Sequence, residues 1–126
     1  MSTIKDSRSQ WLAGYGPIEH REDTRERIAA LCEKLVADGR VTNAGQFHAM
    51  LAAADRLSCM AMSVVAHMTY ARRIDLDGKP LATEDFKPIP EGHTGGALNM
   101  VPAFVGYLLA NALTGKTRAW LMGQGH

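Results

Sequence analysis

The sequence contains little of what marks several common protein classes. It has only two cysteines, Cys32 and Cys59, and no Cys-x-x-Cys pair, so the usual zinc-ligand spacing is absent. Both cysteines fall in apolar, helix-like stretches, which predicts buried free thiols in a reducing compartment; a disulfide or a metal pair is the alternative. The formal net charge of +1 indicates no basic surface for nucleic acid, and no acidic or basic tail is present.

A targeting segment and a long apolar run are also missing. Residues 1–10 are polar and lack the apolar core of a signal peptide. The longest apolar run, residues 100–113, is interrupted by Pro102, Gly106 and Asn111 and falls short of the roughly 20 residues of a membrane span. With 126 residues, we expect about one small, soluble, cytoplasmic domain that binds neither membrane nor nucleic acid.

The spacing of apolar residues predicts three helices. The first spans residues 24–38, capped by Asp23 or Thr24 and ended by Gly39. The second begins near Thr42 or Asn43 and runs to about residue 70, with its apolar stripe, which is rich in methionine, interpreted as core. The third spans residues 100–113 and ends at glycine.

The remaining segments are predicted to be mostly irregular. Residues 1–20 contain glycine and proline breakers, although Trp11, Leu12 and Tyr15 could pack this segment onto another element. Residues 71–92 read as a loop, and Pro102 suits a first helical turn. Residues 118–122 are the only good strand candidate. We therefore expect a mostly α-helical chain with one short strand.

Two glycine-flanked histidines carry the functional signal. Gly92-His93-Thr94-Gly95 precedes a predicted helix, and Gly123-Gln124-Gly125-His126 follows the predicted strand. Ligands of open α/β sheets bind outside the carboxyl ends of the strands, and flanking glycines let the backbone approach a ligand closely. Backbone amides near a helix start favour phosphate, and histidine exchanges protons near neutral pH. By itself, this pattern is equally compatible with structural turns.

The order of the two motifs resembles that of a known enzyme family. Gly92-His93-Thr94-Gly95 followed by Leu98-Asn99 resembles the Gly-His-Trp-Gly and Leu-Asn of phosphoketolases. The run at residues 122–126 resembles their Met-Gly-Pro-Gly-His, and the lead-in at residues 80–87 also fits. Transketolases have comparable Gly-His-Pro-Gly and Gly-His-Gly motifs. The resemblance spans roughly residues 50–126, with Thr94 standing where phosphoketolases have tryptophan and Gln124 where they have proline.

The resemblance implies thiamine diphosphate chemistry on an α/β fold in the full enzyme. The cofactor attacks a ketose carbonyl and acts as electron sink while a carbon–carbon bond breaks. His93 and His126 would be catalytic, with His93 near the first hydroxyls of the donor sugar. Gly92, Gly95, Gly123, Gly125 and His126 would contact the cofactor. The implied activity is that of an aldehyde-lyase of carbohydrate metabolism that cleaves xylulose 5-phosphate or fructose 6-phosphate with inorganic phosphate.

Several parts of such an enzyme are not found in the sequence. The family's Gly-Asp-Gly … Asn motif, which holds Mg²⁺ on the diphosphate, does not occur, so its ligands are expected beyond residue 126. We therefore interpret residues 1–45 as an N-terminal extension with one helix, and residues 46–126 as the truncated start of the thiamine diphosphate-binding domain. The chain alone is expected to be inactive, and the full enzyme to be a homodimer or larger.

Three other interpretations remain open. A transketolase-like enzyme would transfer a two-carbon unit to an aldose instead of forming acetyl phosphate. A non-enzymatic helical interaction module would use the stripes at residues 28–36 and 47–68 as partner surfaces. A metal protein would use several of the five histidines, but their spacing matches no ligand motif such as His-Glu-x-x-His.

Overall fold

The regular secondary structure of the described chain is helical. The structure, a computed structural model, describes residues 4–75 and 77–121. The four α-helices are α1 (Ile4–Ala13), α2 (Glu22–Ala37), α3 (Ala44–Tyr70) and α4 (Thr94–Thr114), and a short 3₁₀ helix spans Thr83–Asp85. In the described ranges, β-structure is limited to two isolated bridges, Tyr15 with Ile18 and Ala71 with Phe86. The prediction of a mostly helical chain is confirmed.

The structure corrects the prediction for the N-terminal region. Residues 4–13 form α1, so the described part of residues 1–45 contains two helices where one was predicted. Helix α2 begins at Glu22 rather than Thr24, and its N-cap residue, Arg21, makes no side-chain capping bond. The predicted start of α3 is confirmed, because the side chain of Asn43 accepts a hydrogen bond of 2.9 Å from the Gln46 amide.

Helix α3 is the central element, with α1 and α4 packed extensively along it and α2 contacting it less. The core lies around its first half, where Phe47 and Leu51 meet Trp11 of α1 and Cys32 of α2. Trp11 is 3% exposed, so the expectation that this residue packs the N-terminal segment onto another element is confirmed. At α1's end, a tight turn begins with Gly14 (φ +78°) and is closed by hydrogen bonds between Tyr15 and Ile18.

Helix α4 runs antiparallel to α3 and begins six residues earlier than predicted. Its first residue, Thr94, contacts Thr69 near the end of α3, while Leu113 near its own end packs against the core. Pro102 therefore lies in the helix interior, not in the first turn, and cannot donate to the carbonyl of Leu98. The predicted end of the helix is confirmed at Gly115.

The predicted strand at residues 118–122 is not formed over its described part, residues 118–121. Instead, this segment folds back along α4. The ring of Trp120 lies 5.6 Å from the Phe104 ring and 4.9 Å from the Tyr107 ring, and Tyr107 donates a hydrogen bond to the Arg118 carbonyl. A strand needs a hydrogen-bonded neighbour, and the described part of the chain offers none beside it.

Helices α3 and α4 are long and apolar enough to cross a membrane, judged by length and composition alone. Only 11% of the most apolar stretch of each is buried. The apolar run at residues 100–113 was expected to be too short for a membrane span. Helix α4, which contains this run, has 21 residues and is long enough. Core helices of soluble proteins pass the same test, so the finding does not test the expected location.

Candidate functional site

His93 lies at the N-terminus of α4, where it is the N-cap residue. Its carbonyl accepts the first bond of the helix from the Ala97 amide at 3.0 Å, while its side chain makes no capping bond. The amides of the first turn have no partner within the helix and carry its positive dipole end. An exposed imidazole thus stands beside unpaired N–H donors, an arrangement that suits contact with oxygen-rich ligands.

The segment before His93 is hydrogen-bonded to the last turn of α3. The carbonyl of Tyr70 accepts from the Lys87 amide at 2.8 Å, and the carbonyl of Thr69 accepts from the Glu91 amide at 3.1 Å. The ammonium group of Lys87 reaches the carbonyl of Met68 at 2.6 Å. These carbonyls are the free acceptors at the end of a helix, so the loop satisfies groups that would otherwise need water.

A contact between two side chains continues this attachment into α4. The hydroxyl of Thr69 is 3.1 Å from the Val65 carbonyl and also contacts the hydroxyl of Thr94. Thr69 is 7% exposed, so this contact is largely shielded from water. Thr94, the residue directly after His93, is therefore connected to α3 through its side chain.

The end of α3, the segment before His93 and the first turn of α4 border an open cleft of about 520 Å³. Thr69, Lys87, Glu91, His93 and Thr94 supply its polar lining. The charges are one ammonium, on Lys87, and one carboxylate, on Glu91, separated by 3.9 Å. Because Glu91 is largely exposed and Lys87 is partly buried, the inner wall is the positive side of the cleft.

The structure places only part of the predicted site. Gly92 and Gly95 flank His93, and Gly92 adopts φ +122°, which favours glycine. A Cβ at either glycine would meet nothing within 4 Å, so the space around the motif is open. Gly123, Gly125 and His126 lie outside the described residues, so the predicted approach of His93 to His126 stays a prediction. Lys87 and Thr69 carried no predicted role, although Lys87 belongs to the lead-in that resembles the family.

The other described histidines are separate from this cleft. His48 is buried, and its Nδ1 donates to the Ala44 carbonyl at 2.8 Å. His20 lies 2.6 Å from the Asp55 carboxylate and stacks on Trp11 with 4.5 Å between ring centroids. His67 donates from Nδ1 to the Ser63 carbonyl at 2.8 Å. These contacts orient the three rings within the fold, and the absence of a functional role for His48 and His67 stays a prediction.

A larger cleft of about 960 Å³ lies between α1, α2 and the start of α3. It contains none of the predicted site residues, and Trp11, Cys32 and His48 form its inner wall. Both cysteines are free, and burial raises the pKa of the Cys32 thiol. A buried thiol with a raised pKa is a poor nucleophile, which agrees with a packing role.

An ion-pair cluster stabilises the loop that joins α3 to α4. The Nε of Arg73 lies 2.9 Å from the Asp85 carboxylate, and its guanidinium is also 3.6 Å from Asp75. The hydrogen bond from Arg73 lowers the pKa of Asp85, with the Ala82 amide as the next cause. Hydrogen bonds from the amides of Lys79 and Asp77 are among the causes that lower the pKa of Asp75.

The comparisons with known proteins add no identification. No protein-family model, no curated protein and no solved structure matches the chain. Within residues 4–75 and 77–121, no group of three or more histidine, cysteine, aspartate or glutamate side chains could hold a metal ion.

Proposed function

We propose that the chain is the N-terminal part of a thiamine diphosphate-dependent enzyme that cleaves ketose phosphates, with His93 at the donor-sugar site. The sequence motifs at residues 92–95 and 122–126 suggest the class. The observation that carries the proposal is the position of His93: exposed, at a helix N-terminus, and in one cleft with Lys87, Thr69 and Thr94. Such a cleft combines the ammonium of Lys87 and the amides of the helix start with the carboxylate of Glu91, so it offers both donors and acceptors, which suits a phosphorylated polyol.

The described residues do not fit the metal–diphosphate part of the cofactor. They offer no group of side chains that could hold Mg²⁺, so its ligands would have to come from outside the described residues. When bound, thiamine diphosphate would supply the electron sink for carbon–carbon cleavage. The described part of this chain would leave that chemistry to the cofactor and to the rest of the enzyme.

This chain's contribution would be to bind and orient the sugar. His93 can donate to, or accept from, a sugar hydroxyl and can move a proton there. Lys87 is held by the Met68 carbonyl, so its charge stays in the cleft while it binds an anionic or hydroxyl oxygen. The attachment of the loop to α3 would keep these groups in place before the substrate arrives.

The exposed apolar surface of α3 and α4 supports a larger assembly. Met60 and Met68 of α3 are each 62% exposed, and Leu57 and Val64 lie on the same stripe. This part of the predicted core stripe is thus not buried in the described structure. Exposed apolar surface of this kind marks an interaction face. In the proposed enzyme, other parts of the same chain or its partner subunit would cover it.

The same surface favours the second candidate, a helical interaction module without catalytic activity. The two candidates predict different sequences beyond residue 126. A continuing reading frame with a Gly-Asp-Gly motif and a later asparagine supports the enzyme. A frame without these motifs, in a protein that binds a partner through the α3 stripe, supports the module.

The decisive experiment is an activity assay. The full-length enzyme, with thiamine diphosphate, Mg²⁺ and inorganic phosphate, is expected to form acetyl phosphate from xylulose 5-phosphate or fructose 6-phosphate. Transfer of a two-carbon unit to an aldose instead would identify a transketolase. The 126-residue chain alone is expected to do neither; acetyl phosphate formation by it would contradict the proposed division of the site.

Substitution of His93 tests the site itself. His93→Ala should lower kcat/KM by about 10²-fold or more, the usual scale of lost acid–base assistance. His67→Ala is the matched control, because His67 lies outside the cleft and its Nδ1 donates to the Ser63 carbonyl of its own helix. If both variants turn over at the wild-type rate, His93 is an ordinary turn residue and the proposed site is wrong.

A further inference from the structure

Two threonine hydroxyls connect the cleft to the backbone of α3 in a defined direction. The Thr69 hydroxyl lies 3.1 Å from the Val65 carbonyl and contacts the Thr94 hydroxyl. A carbonyl oxygen can only accept, so Thr69 donates its single proton to Val65. The bond between the two hydroxyls must then be donated by Thr94. The proton of Thr94 is therefore engaged by Thr69 and is not available to a ligand.

The consequence concerns what the cleft recognises. Thr94 lines the cleft, and with its proton engaged its oxygen can only accept a further hydrogen bond. Thr69 is 7% exposed, so water has little access to compete for the bond between the hydroxyls. We propose that Thr94 is a specificity-determining residue that accepts a hydrogen bond from a hydroxyl group of the ligand, which is the C1 hydroxyl in a ketose phosphate. The identity of that ligand as a ketose phosphate rests on the proposed function.

The other polar groups of the cleft add to this preference for a ligand that carries a hydroxyl. Lys87 and the amides of the first turn of α4 are donors and suit phosphate or carbonyl oxygens. Thr94 and the exposed carboxylate of Glu91 are acceptors beside these donors. A phosphate dianion or a carboxylate has no proton to give them, whereas a sugar hydroxyl has. The cleft thus selects a ligand that carries a hydroxyl and an anionic or carbonyl oxygen close together.

The first arm of the test examines the hydroxyl contact without reference to any reaction. Hydrogen–deuterium exchange is followed by mass spectrometry on peptides covering residues 86–97 of the protein. Thr69→Val, which keeps the shape and removes the hydroxyl, should raise exchange there about fivefold, the effect of one ordinary hydrogen bond. Thr94→Val removes the other hydroxyl of the same contact, on the less buried residue, and should raise exchange by a similar factor.

Thr114→Val is the matched control for this arm. The Thr114 hydroxyl also donates to the carbonyl four residues earlier near the end of a helix, at 2.8 Å, but it lies outside the cleft. It should leave the exchange of residues 86–97 unchanged. Equal exchange in the wild type and in both Thr69→Val and Thr94→Val would overturn the inference, whatever the protein catalyses.

The second arm tests the ligand in the full-length enzyme. Binding of xylulose 5-phosphate is compared with that of 1-deoxy-xylulose 5-phosphate, which lacks the C1 hydroxyl and keeps the hydroxyls at C3 and C4. Thr94→Val should weaken binding of the hydroxylated compound about three- to tenfold and change binding of the deoxy compound little. Thr94→Ser, which keeps the acceptor, should restore the difference between the two.

The outcomes separate the two proposals. If Thr94→Val weakens both compounds equally, or neither, Thr94 does not accept from that hydroxyl and the inference is overturned. If the wild type neither binds nor converts either compound, the proposed function fails and the ligand assignment fails with it. Faster exchange in the first arm would then still show that the threonine pair holds the loop.

Discussion

The two halves of α3 are held by different kinds of contact. Around Phe47 and Leu51 the helix is covered by α1 and α2 and packs with Trp11 in an apolar cluster. Near Thr69 and Tyr70 it is exposed along its apolar stripe, and its last turn is engaged by hydrogen bonds from the loop before His93. Apolar burial is non-directional and stabilises the fold, whereas directional hydrogen bonds position individual groups. The comparison thus assigns stability to one half and site geometry to the other.

The largest expected effect tests the apolar half. Phe47 is 2% exposed, so Phe47→Ala should lower the free energy of unfolding by about 3–5 kcal/mol through lost burial and the cavity left behind. Met68→Ala, at the exposed end of the same stripe, should change it by less than about 0.5 kcal/mol. Urea denaturation followed by circular dichroism measures both. Similar losses at both positions would contradict the division of α3.

Gly14 tests how strictly the turn after α1 is specified. A Cβ at Gly14 would lie 2.2 Å from the Ile18 carbonyl oxygen, and φ is +78°. Gly14→Ala should therefore lower the unfolding free energy by about 2 kcal/mol or more. Gly39→Ala is the control, because φ is +69° there but a Cβ would meet nothing within 4 Å. It should cost only about 1 kcal/mol of backbone strain. Equal costs would show that the close approach to Ile18 is easily relieved.

His48 provides the counterpart to His93 in the apolar half. It is 6% exposed, and its ring packs edge-on against Trp11 with 5.8 Å between centroids. His48→Ala should lower the unfolding free energy by about 1–3 kcal/mol and leave turnover of the full-length enzyme nearly unchanged. The opposite result, stable protein with lost turnover, would move the functional site to the larger cleft.

The smallest expected effect is the pH dependence of the loop after α3. The pKa of Asp85 is lowered, first by Arg73 and then by the Ala82 amide. A carboxylate whose folded pKa is depressed stabilises the loop above its unfolded pKa of about 4, and this contribution is lost as pH falls through the folded pKa. Nuclear magnetic resonance of the Asp85 carboxyl carbon should show titration below that of an ordinary aspartate.

The variant Asp85→Asn tests whether this carboxylate causes the pH dependence of the loop. The variant should loosen the contact with Arg73 already at neutral pH and remove this part of the acid dependence. Both carboxylates of the cluster are partly exposed, so salt should reduce the effect. An ordinary titration of Asp85 in the wild type would show that the ion pair is not maintained in solution.

The sequence alone determined the elements with strong local signals. Helical spacing of apolar residues predicted α2 and α3 within two residues at each end, because capping by Asn43 and termination at Gly39 are local events. The sequence also predicted His93 and His126 as candidate residues, since glycine-flanked histidines form short, contiguous motifs. The surrounding family assignment and its chemistry stay predictions.

The tertiary structure decided what depends on partners distant in the sequence. Residues 4–13 are helical beside α3, where Trp11 becomes buried, although breakers begin immediately afterwards at Gly14. Helix α4 begins at Thr94, where that residue meets Thr69, and over residues 118–121 the expected strand is replaced by packing of Trp120 on α4. Local propensity cannot reveal such contacts, since each depends on which surfaces the fold brings together.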